Sequence, residues 1–130
     1  MIPAEKNIVI RRGDTKEIFF RVRTKVWNSG TSSWEPGPYK DLTGYTIESQ
    51  VREAKSSVTV LLTFTIILGD QGDPVDGRGA VLMRIHGSLT AAVSTAIAAG
   101  VFDVQFTEPD TDPYTYIEGT VEFTEDVTRA

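Results

Sequence analysis

Few side chains in this 130-residue chain are of the types that carry out nucleophilic or acid–base chemistry. The chain has no cysteine and a single histidine, His86, which excludes a thiol nucleophile, a cysteine-ligated metal and a multi-histidine metal centre within one chain. A Ser-His-Asp triad would have to use His86, which lies at the end of a predicted strand. General acid–base catalysis needs two groups held in a cleft with shifted pKa values, and although carboxylates are plentiful, their spacing in the sequence does not indicate a converging pair. The sequence therefore predicts no catalytic residue and a protein that is not an enzyme.

Three aspartates could supply oxygen ligands to Ca²⁺, because Asp70, Asp73 and Asp76 all lie in the glycine-rich segment 69–79. An EF-hand loop places its acidic ligands at alternate positions and closes with a glutamate, whereas these aspartates occur at every third position. We therefore predict a solvated irregular loop, with neither a metal nor a cofactor.

Arg12, Gly13 and Asp14 spell a tripeptide that integrins recognise, but they also separate two apolar segments. Glycine tolerates the positive φ angle that a chain reversal can require. We therefore predict an ordinary hairpin turn at these residues rather than a cell-receptor site.

Aromatic side chains are the best candidates for contacts with other proteins. Trp27, Trp34 and Tyr39 lie in or beside the segment 28–40, whose Gly, Ser and Pro content predicts a long loop. Large amphipathic rings on such a loop are typical of interface hot spots, and the alternative is that they cap the end of their own domain. Phe19 interrupts the alternation of a predicted strand, which suggests a covered outer face. These four residues form the predicted interface, and we expect the loop to become ordered against a neighbouring subunit.

The charge balance limits the classes of partner. The chain has 13 basic and 18 acidic side chains and a net charge of −5, which opposes binding to phosphate backbones and anionic membranes. No apolar run approaches the roughly 20 residues of a membrane span, and the first residues lack the layout of a signal peptide. We therefore predict no nucleic-acid partner and no membrane partner.

A hydrophobic content of 40% and a charged content of 24% are typical of a single globular domain, here residues 1–130.

Apolar residues recur mostly at every second position, which is typical of strands with one buried face. The predicted strands, about seven in number, are separated by turn clusters. They cover residues 7–10, 17–26, 45–52, 58–68, 80–86, 102–107 and 114–124. Between 88 and 99 the apolar positions follow a helical period, so we expect one short helix that ends near Gly100. The pattern predicts an all-β chain that forms an antiparallel β-sandwich, immunoglobulin-like or similar, with a barrel as the alternative.

The alternation also predicts which side chains point inward. In the strand 17–26 these are Ile18, Phe20 and Val22, with Val26 as a further candidate. In the strand 102–107 they are the apolar residues Phe102, Val104 and Phe106. In the last strand Tyr116 is expected to point outward. The expected inward set of that strand is Thr115, Ile117, Gly119, Val121 and Phe123.

Several phrases, in order along the chain, resemble a group of tailed-bacteriophage structural proteins. They are found at residues 8–15, 41–46, 50–53, 98–105, 116–121 and 126–129. The resemblance covers nearly the whole chain and is to the N-terminal β-sandwich of upper baseplate proteins. The segments 28–40 and 69–79 share no pattern with that group, so specific partners are expected to bind there.

The resemblance implies a non-enzymatic virion protein of the tail, baseplate or tail-fibre attachment region. Such a protein would be assembled in the host cytoplasm, as a homo-oligomer or in several copies, and would anchor neighbouring tail or baseplate proteins. Two alternatives stay open. One is a carbohydrate- or receptor-binding module in which Trp34 and Tyr39 stack on a sugar ring, and the other is a capsid decoration or neck protein.

Overall fold

A computed structural model describes residues 4–125, which form eleven strands and one short helix. The strands are β1 (Ala4–Glu5), β2 (Ile8–Arg11), β3 (Lys16–Arg21), β4 (Arg23–Asn28), β5 (Ser33–Tyr39), β6 (Thr46–Arg52), β7 (Val60–Thr63), β8 (Thr65–Leu68), β9 (Ala80–Ile85), β10 (Ala99–Thr107) and β11 (Tyr114–Thr124), and the helix is α1 (Gly87–Ala91). The prediction of an all-β chain is confirmed. The last phrase of the phage resemblance, 126–129, lies outside the described residues.

The strands form three sheets. The large sheet has the order β1-β11-β10-β6-β7, and β2 also pairs with β11. The small sheet has the order β3-β9-β8, and β4 and β5 form a two-stranded sheet. Most pairings are antiparallel, but β1 and β2 run parallel to β11, so the prediction of a wholly antiparallel arrangement is wrong at these two pairs. The first two described strands therefore both lie beside the last strand and run in its direction.

The predicted count of about seven strands is wrong, partly because two long predicted strands are divided. The segment 17–26 is interrupted at Val22, whose N–H donates to the Gly79 carbonyl while its own carbonyl accepts from Lys40 N–H. The segment 58–68 is interrupted at Phe64, where the chain passes from the large sheet to the small sheet. Both interruption points are buried, so the chain changes sheets through the core.

One buried apolar cluster receives side chains from both the large and the small sheet. The strand β10 supplies Phe102, Val104 and Phe106, all buried, as the alternation predicts. The small sheet supplies Val81, Met83 and Ile85 from β9 and the partly buried Ile18 and Phe20 from β3. The clearest exception to the predicted faces is Val26, which is half exposed.

A β-bulge reverses the predicted faces in the first half of β11. Val104 is opposite Ile117, but Gln105 is opposite Thr115, so Tyr116 is an extra residue in the ladder. Since a shift of one residue exchanges the two faces of a strand, Tyr116 turns toward the core and packs on Phe106 with ring centroids 4.7 Å apart. The prediction that Tyr116 points outward is therefore wrong, whereas the C-terminal half of the strand is buried as expected.

The helix is shorter than predicted. The structure has only α1 in place of a helix over 88–99, and Gly100 lies in β10 rather than at a helix end. The carbonyls of Val93, Ser94 and Ile97 accept hydrogen bonds from the side chain of Arg12, so these residues turn toward a distant arginine instead of continuing the helix. An amphipathic period cannot reveal this competing partner.

Arg12 links distant parts of the fold through several side-chain contacts. Its side chain is only 5% exposed, and besides the three carbonyls it contacts the carboxylate of Glu125 at 2.8 Å. Its guanidinium carbon lies 5.6 Å from the centroid of the Phe123 ring. A turn is present, with Gly13 at φ 92°, but the prediction of a hairpin is wrong, because β2 pairs with β11 in the large sheet and β3 pairs with β9 in the small sheet. The Arg12 side chain points into the protein and is not displayed to a receptor.

We predict that Arg12→Ala lowers the free energy of unfolding by about 3 kcal/mol or more, because buried carbonyls left without a donor each cost about 1–3 kcal/mol. Urea unfolding measures the change. The neighbouring Arg11 is exposed, so Arg11→Ala serves as the matched control and should stay within about 0.5 kcal/mol of the parent. Equal effects of the two substitutions would contradict the structural role of Arg12.

Phe106 is fully buried at the centre of an aromatic cluster. The rings of Phe20, Tyr45, Tyr114 and Tyr116 lie between 4.7 and 6.5 Å from its centroid. The Tyr45 hydroxyl donates to a Glu108 carboxylate oxygen at 2.8 Å. Burial, together with this hydrogen bond and the charge of Glu108, raises the pKa of Tyr45 to about 12.

This pKa predicts a loss of stability in alkaline solution. Between pH 10 and 12 the unfolded chain loses the Tyr45 proton while the folded chain keeps it, so the stabilising contribution is complete below pH 10 and decreases as the pH rises toward 12. Urea unfolding across this range measures the decline. Tyr45→Phe should make the decline of the free energy of unfolding shallower. Part of the decline should persist in this variant, because burial also raises the pKa of Tyr114 and Tyr116. An identical decline in the variant would contradict the assignment.

Candidate interaction surface

The predicted long loop 28–40 is instead one half of a β-hairpin, so that prediction is wrong. We call residues 23–39, which comprise β4, a tight turn and β5, the arm. Pro36 and Pro38 are tolerated in β5 because, among the described strands, β5 pairs only with β4 and its other edge has no partner. Every residue of the arm from 29 to 36 is exposed, which means that the outer part of the arm extends away from the core.

The arm places the three aromatic residues of the predicted interface on one face. Trp27 is directly opposite Trp34, and their rings meet edge to face with centroids 5.4 Å apart. Arg23 is opposite Tyr39, because an irregularity in the ladder inserts an additional residue in β5. Residues separated by an odd number of positions lie on opposite faces of a regular strand. Since directly paired residues share a face of a hairpin, the additional residue brings Trp34 and Tyr39 to the same side.

Tyr39 belongs to the base of the arm and is covered by its own chain. The guanidinium of Arg21 stacks on the Tyr39 ring at 3.3 Å from its centroid and also donates hydrogen bonds to the carbonyls of Val75 and Arg78. Tyr39 therefore follows the alternative in which an aromatic ring packs within its own domain. This stacking also occupies one ring face that a sugar would need. Trp27 and Trp34 remain 50% and 64% exposed.

Phe19 lies on a different sheet from the arm. It is 62% exposed on the outer face of the small sheet and is opposite Leu82, which is in turn opposite Ile67. We call Phe19, Leu82 and Ile67 the apolar row. Sequence analysis identified Phe19 from its broken alternation, but it missed Leu82 and Ile67, because only the register of three strands aligns them.

The other candidate side chains have local roles. His86 is exposed and is the N-cap residue of α1, but its side chain makes no capping hydrogen bond. The carboxylate of Asp70 accepts the N–H of Gly72, and that of Asp73 accepts the N–H of Val75. Among residues 4–125, no three or more His, Cys, Asp or Glu side chains form a group that could hold a metal ion.

A polar groove on the outer face of the large sheet was missed by sequence analysis. It encloses about 560 Å³ and lies over β6, β10 and β11, with Lys55 at one side. Its centre is Asp103. Burial raises the pKa of the Asp103 carboxyl, while a hydrogen bond from Gln105 and the charge of Arg52 lower it. The only sign of this groove in the sequence is the set of polar residues that alternate with apolar ones in β6, β10 and β11.

No protein-family model and no curated protein matches this chain. Two of the solved structures that resemble this chain illustrate how limited the similarity is. The inferred receptor binding domain of a human endogenous retrovirus envelope has a TM-score of 0.43 and 12% identity, over 98% of this chain and 92% of that one. A family 123 glycoside hydrolase from Clostridium perfringens has a TM-score of 0.39 and 11% identity, over 99% of this chain and 24% of the hydrolase. Scores this low carry no argument about function.

A search of residues 4–125 finds no helix with the length and apolar character needed to cross a membrane.

We predict that chelator treatment leaves the melting temperature unchanged, because Asp70 and Asp73 already use carboxylate oxygens to hold the backbone of their own loop. Differential scanning calorimetry with EDTA and with excess Ca²⁺ tests this. An ion bound only by the folded chain would raise the melting temperature once its concentration exceeds the dissociation constant, so a rise of several degrees in Ca²⁺ would refute the prediction.

Proposed function

We propose that this chain is a non-enzymatic structural protein of a phage virion, in the tail, baseplate or tail-fibre attachment region. It acts through protein–protein interfaces after assembly in the host cytoplasm. The observation that carries the proposal is the arm, whose tryptophan pair meets edge to face and leaves Trp27 and Trp34 at least half exposed. The resemblance in the sequence supplies the class of particle.

The tryptophan pair is suited to binding another protein. Burying apolar surface yields about 25 cal/mol per Å², and large aromatic side chains bury roughly 150–250 Å² each. Covering the exposed parts of Trp27 and Trp34 would therefore contribute on the order of 5 kcal/mol before the costs of association. Aromatic anchors of this kind dominate the energy of many interfaces.

The apolar row supplies a second contact surface on another element. A chain with two different contact surfaces can bind two neighbours at once, and head-to-tail contacts of that kind generate rings when the rotation closes. This supports a multicopy assembly.

We further propose that the large and small sheets form the two layers of a β-sandwich, since both contribute to one buried cluster.

The test of this proposal uses particles assembled with a gold-labelled form of the chain. We expect electron microscopy to place the label at the tail, and we expect Trp34→Ala to reduce the number of copies per particle about tenfold, equivalent to a loss of about 1.4 kcal/mol at the interface. The isolated variant should lose no more than about 1 kcal/mol of stability, because Trp34 contributes little except its contact with Trp27.

Val58→Ala is the matched control, since Val58 is an apolar residue 91% exposed outside the arm. It should leave the copy number unchanged. A label on the capsid or neck would favour the decoration or neck alternative, and absence of the chain from particles would contradict the proposal. A loss of several kcal/mol in isolated Trp34→Ala with normal assembly would make Trp34 a structural residue.

A further inference from the structure

The floor of the polar groove is a regular grid of side chains from three adjacent strands. Cross-strand pairing aligns Gln50 of β6, Asp103 of β10 and Glu118 of β11 in one row. The next row contains Glu48, Gln105 and Thr115. Side chains directly opposite in a sheet lie roughly 5 Å apart, so the grid presents polar groups at closely repeated intervals.

Contacts within the groove hold several of these side chains in place. Arg52 donates to the Gln50 amide oxygen at 2.9 Å and to the Ser57 carbonyl at 2.8 Å, which fixes the turn after β6. Gln105 donates to an Asp103 carboxylate oxygen at 3.3 Å. Lys55, carried by that turn, contacts Glu118 at 3.4 Å and forms one side of the groove. The groove is therefore shaped before any ligand binds.

The same contacts leave donors and acceptors available. Within residues 4–125, the Gln50 amide nitrogen, the Gln105 amide oxygen and the second Asp103 oxygen have no hydrogen-bond partner. The Glu48 carboxylate is exposed and also has none among those residues. Both a donor and several acceptors thus face one cavity.

The balance of groups selects a class of ligand. Three carboxylates against Arg52 and Lys55 disfavour an anion. The two cationic side chains lie beside the carboxylates and oppose a cation, and the described residues include no group that could hold a metal. A hydroxyl both donates and accepts, so neighbouring hydroxyls can satisfy amides and carboxylates together.

We infer that the groove over β6, β10 and β11 binds a neutral carbohydrate through its hydroxyl groups. Gln50, Asp103 and Gln105 make the central contacts, and Lys55 with Glu118 forms one side. This site shares no residue with the arm, and the inference does not depend on the proposed function.

The test is a nuclear magnetic resonance titration of the isotope-labelled chain with neutral oligomers of glucose, galactose and N-acetylglucosamine at millimolar concentration. We expect shifts at the backbone amides of Gln50, Asp103 and Gln105 and at the two side-chain amides. A sialylated oligosaccharide and a lysine-rich peptide are the anionic and cationic comparisons, and both should bind more weakly than the best neutral oligomer.

Asp103→Ala and Gln105→Ala should each weaken binding about tenfold, as expected from the loss of a hydrogen bond to a positioned group. Thr65→Ala, an exposed position on the small sheet, is the control and should bind normally. Unchanged spectra away from the groove show that the variants are folded. The inference is overturned if no neutral oligomer shifts these amides, if the lysine-rich peptide binds more tightly, or if the shifts map to Trp27 and Trp34.

Discussion

The buried guanidinium of Arg12 is the interaction on which the arrangement of the chain depends most. It joins the turn after β2, the connection between α1 and β10, and the residue that follows β11. A buried cation is costly unless it is fully hydrogen-bonded, so its acceptors must converge at one place. The acceptors lie in the connection that follows α1 and in Glu125 after β11, so the same side chain meets both the end of the short helix and the strand to which β2 runs parallel.

The interior and the exterior of the large sheet are linked through β10. Its inward residues supply the aromatic centre around Phe106, and its outward residues supply Asp103 and Gln105 to the groove. The bulge at Tyr116 gives Phe106 an additional aromatic neighbour. Because the inward side chains are closely packed, the outward ones are held on a rigid surface, and a site built on strands is positioned more accurately than one built on loops.

The arm illustrates how local pairing changes the energetics of a binding segment. A flexible loop of this length would lose roughly 1–2 kcal/mol of backbone entropy per residue on becoming ordered against a partner. The hairpin incurs that cost during folding, with help from the Trp27–Trp34 contact and from Arg21 stacked on Tyr39. A partner would then gain most of the energy of covering the two indoles.

Local periodicity was sufficient to predict an all-β chain, the buried face of β10 and a chain reversal at Gly13, although not the sheets that this reversal joins, because each depends on neighbouring residues. Residue type alone was sufficient to nominate Trp27, Trp34, Tyr39 and Phe19 for contacts. The pairing of Trp27 with Trp34, the covering of Tyr39, the apolar row and the groove required the register between strands, which no single segment contains. The early end of α1 required Arg12, some 80 positions away in the chain. Tertiary structure decided these features because hydrogen-bond partners and cross-strand neighbours are set by the whole fold.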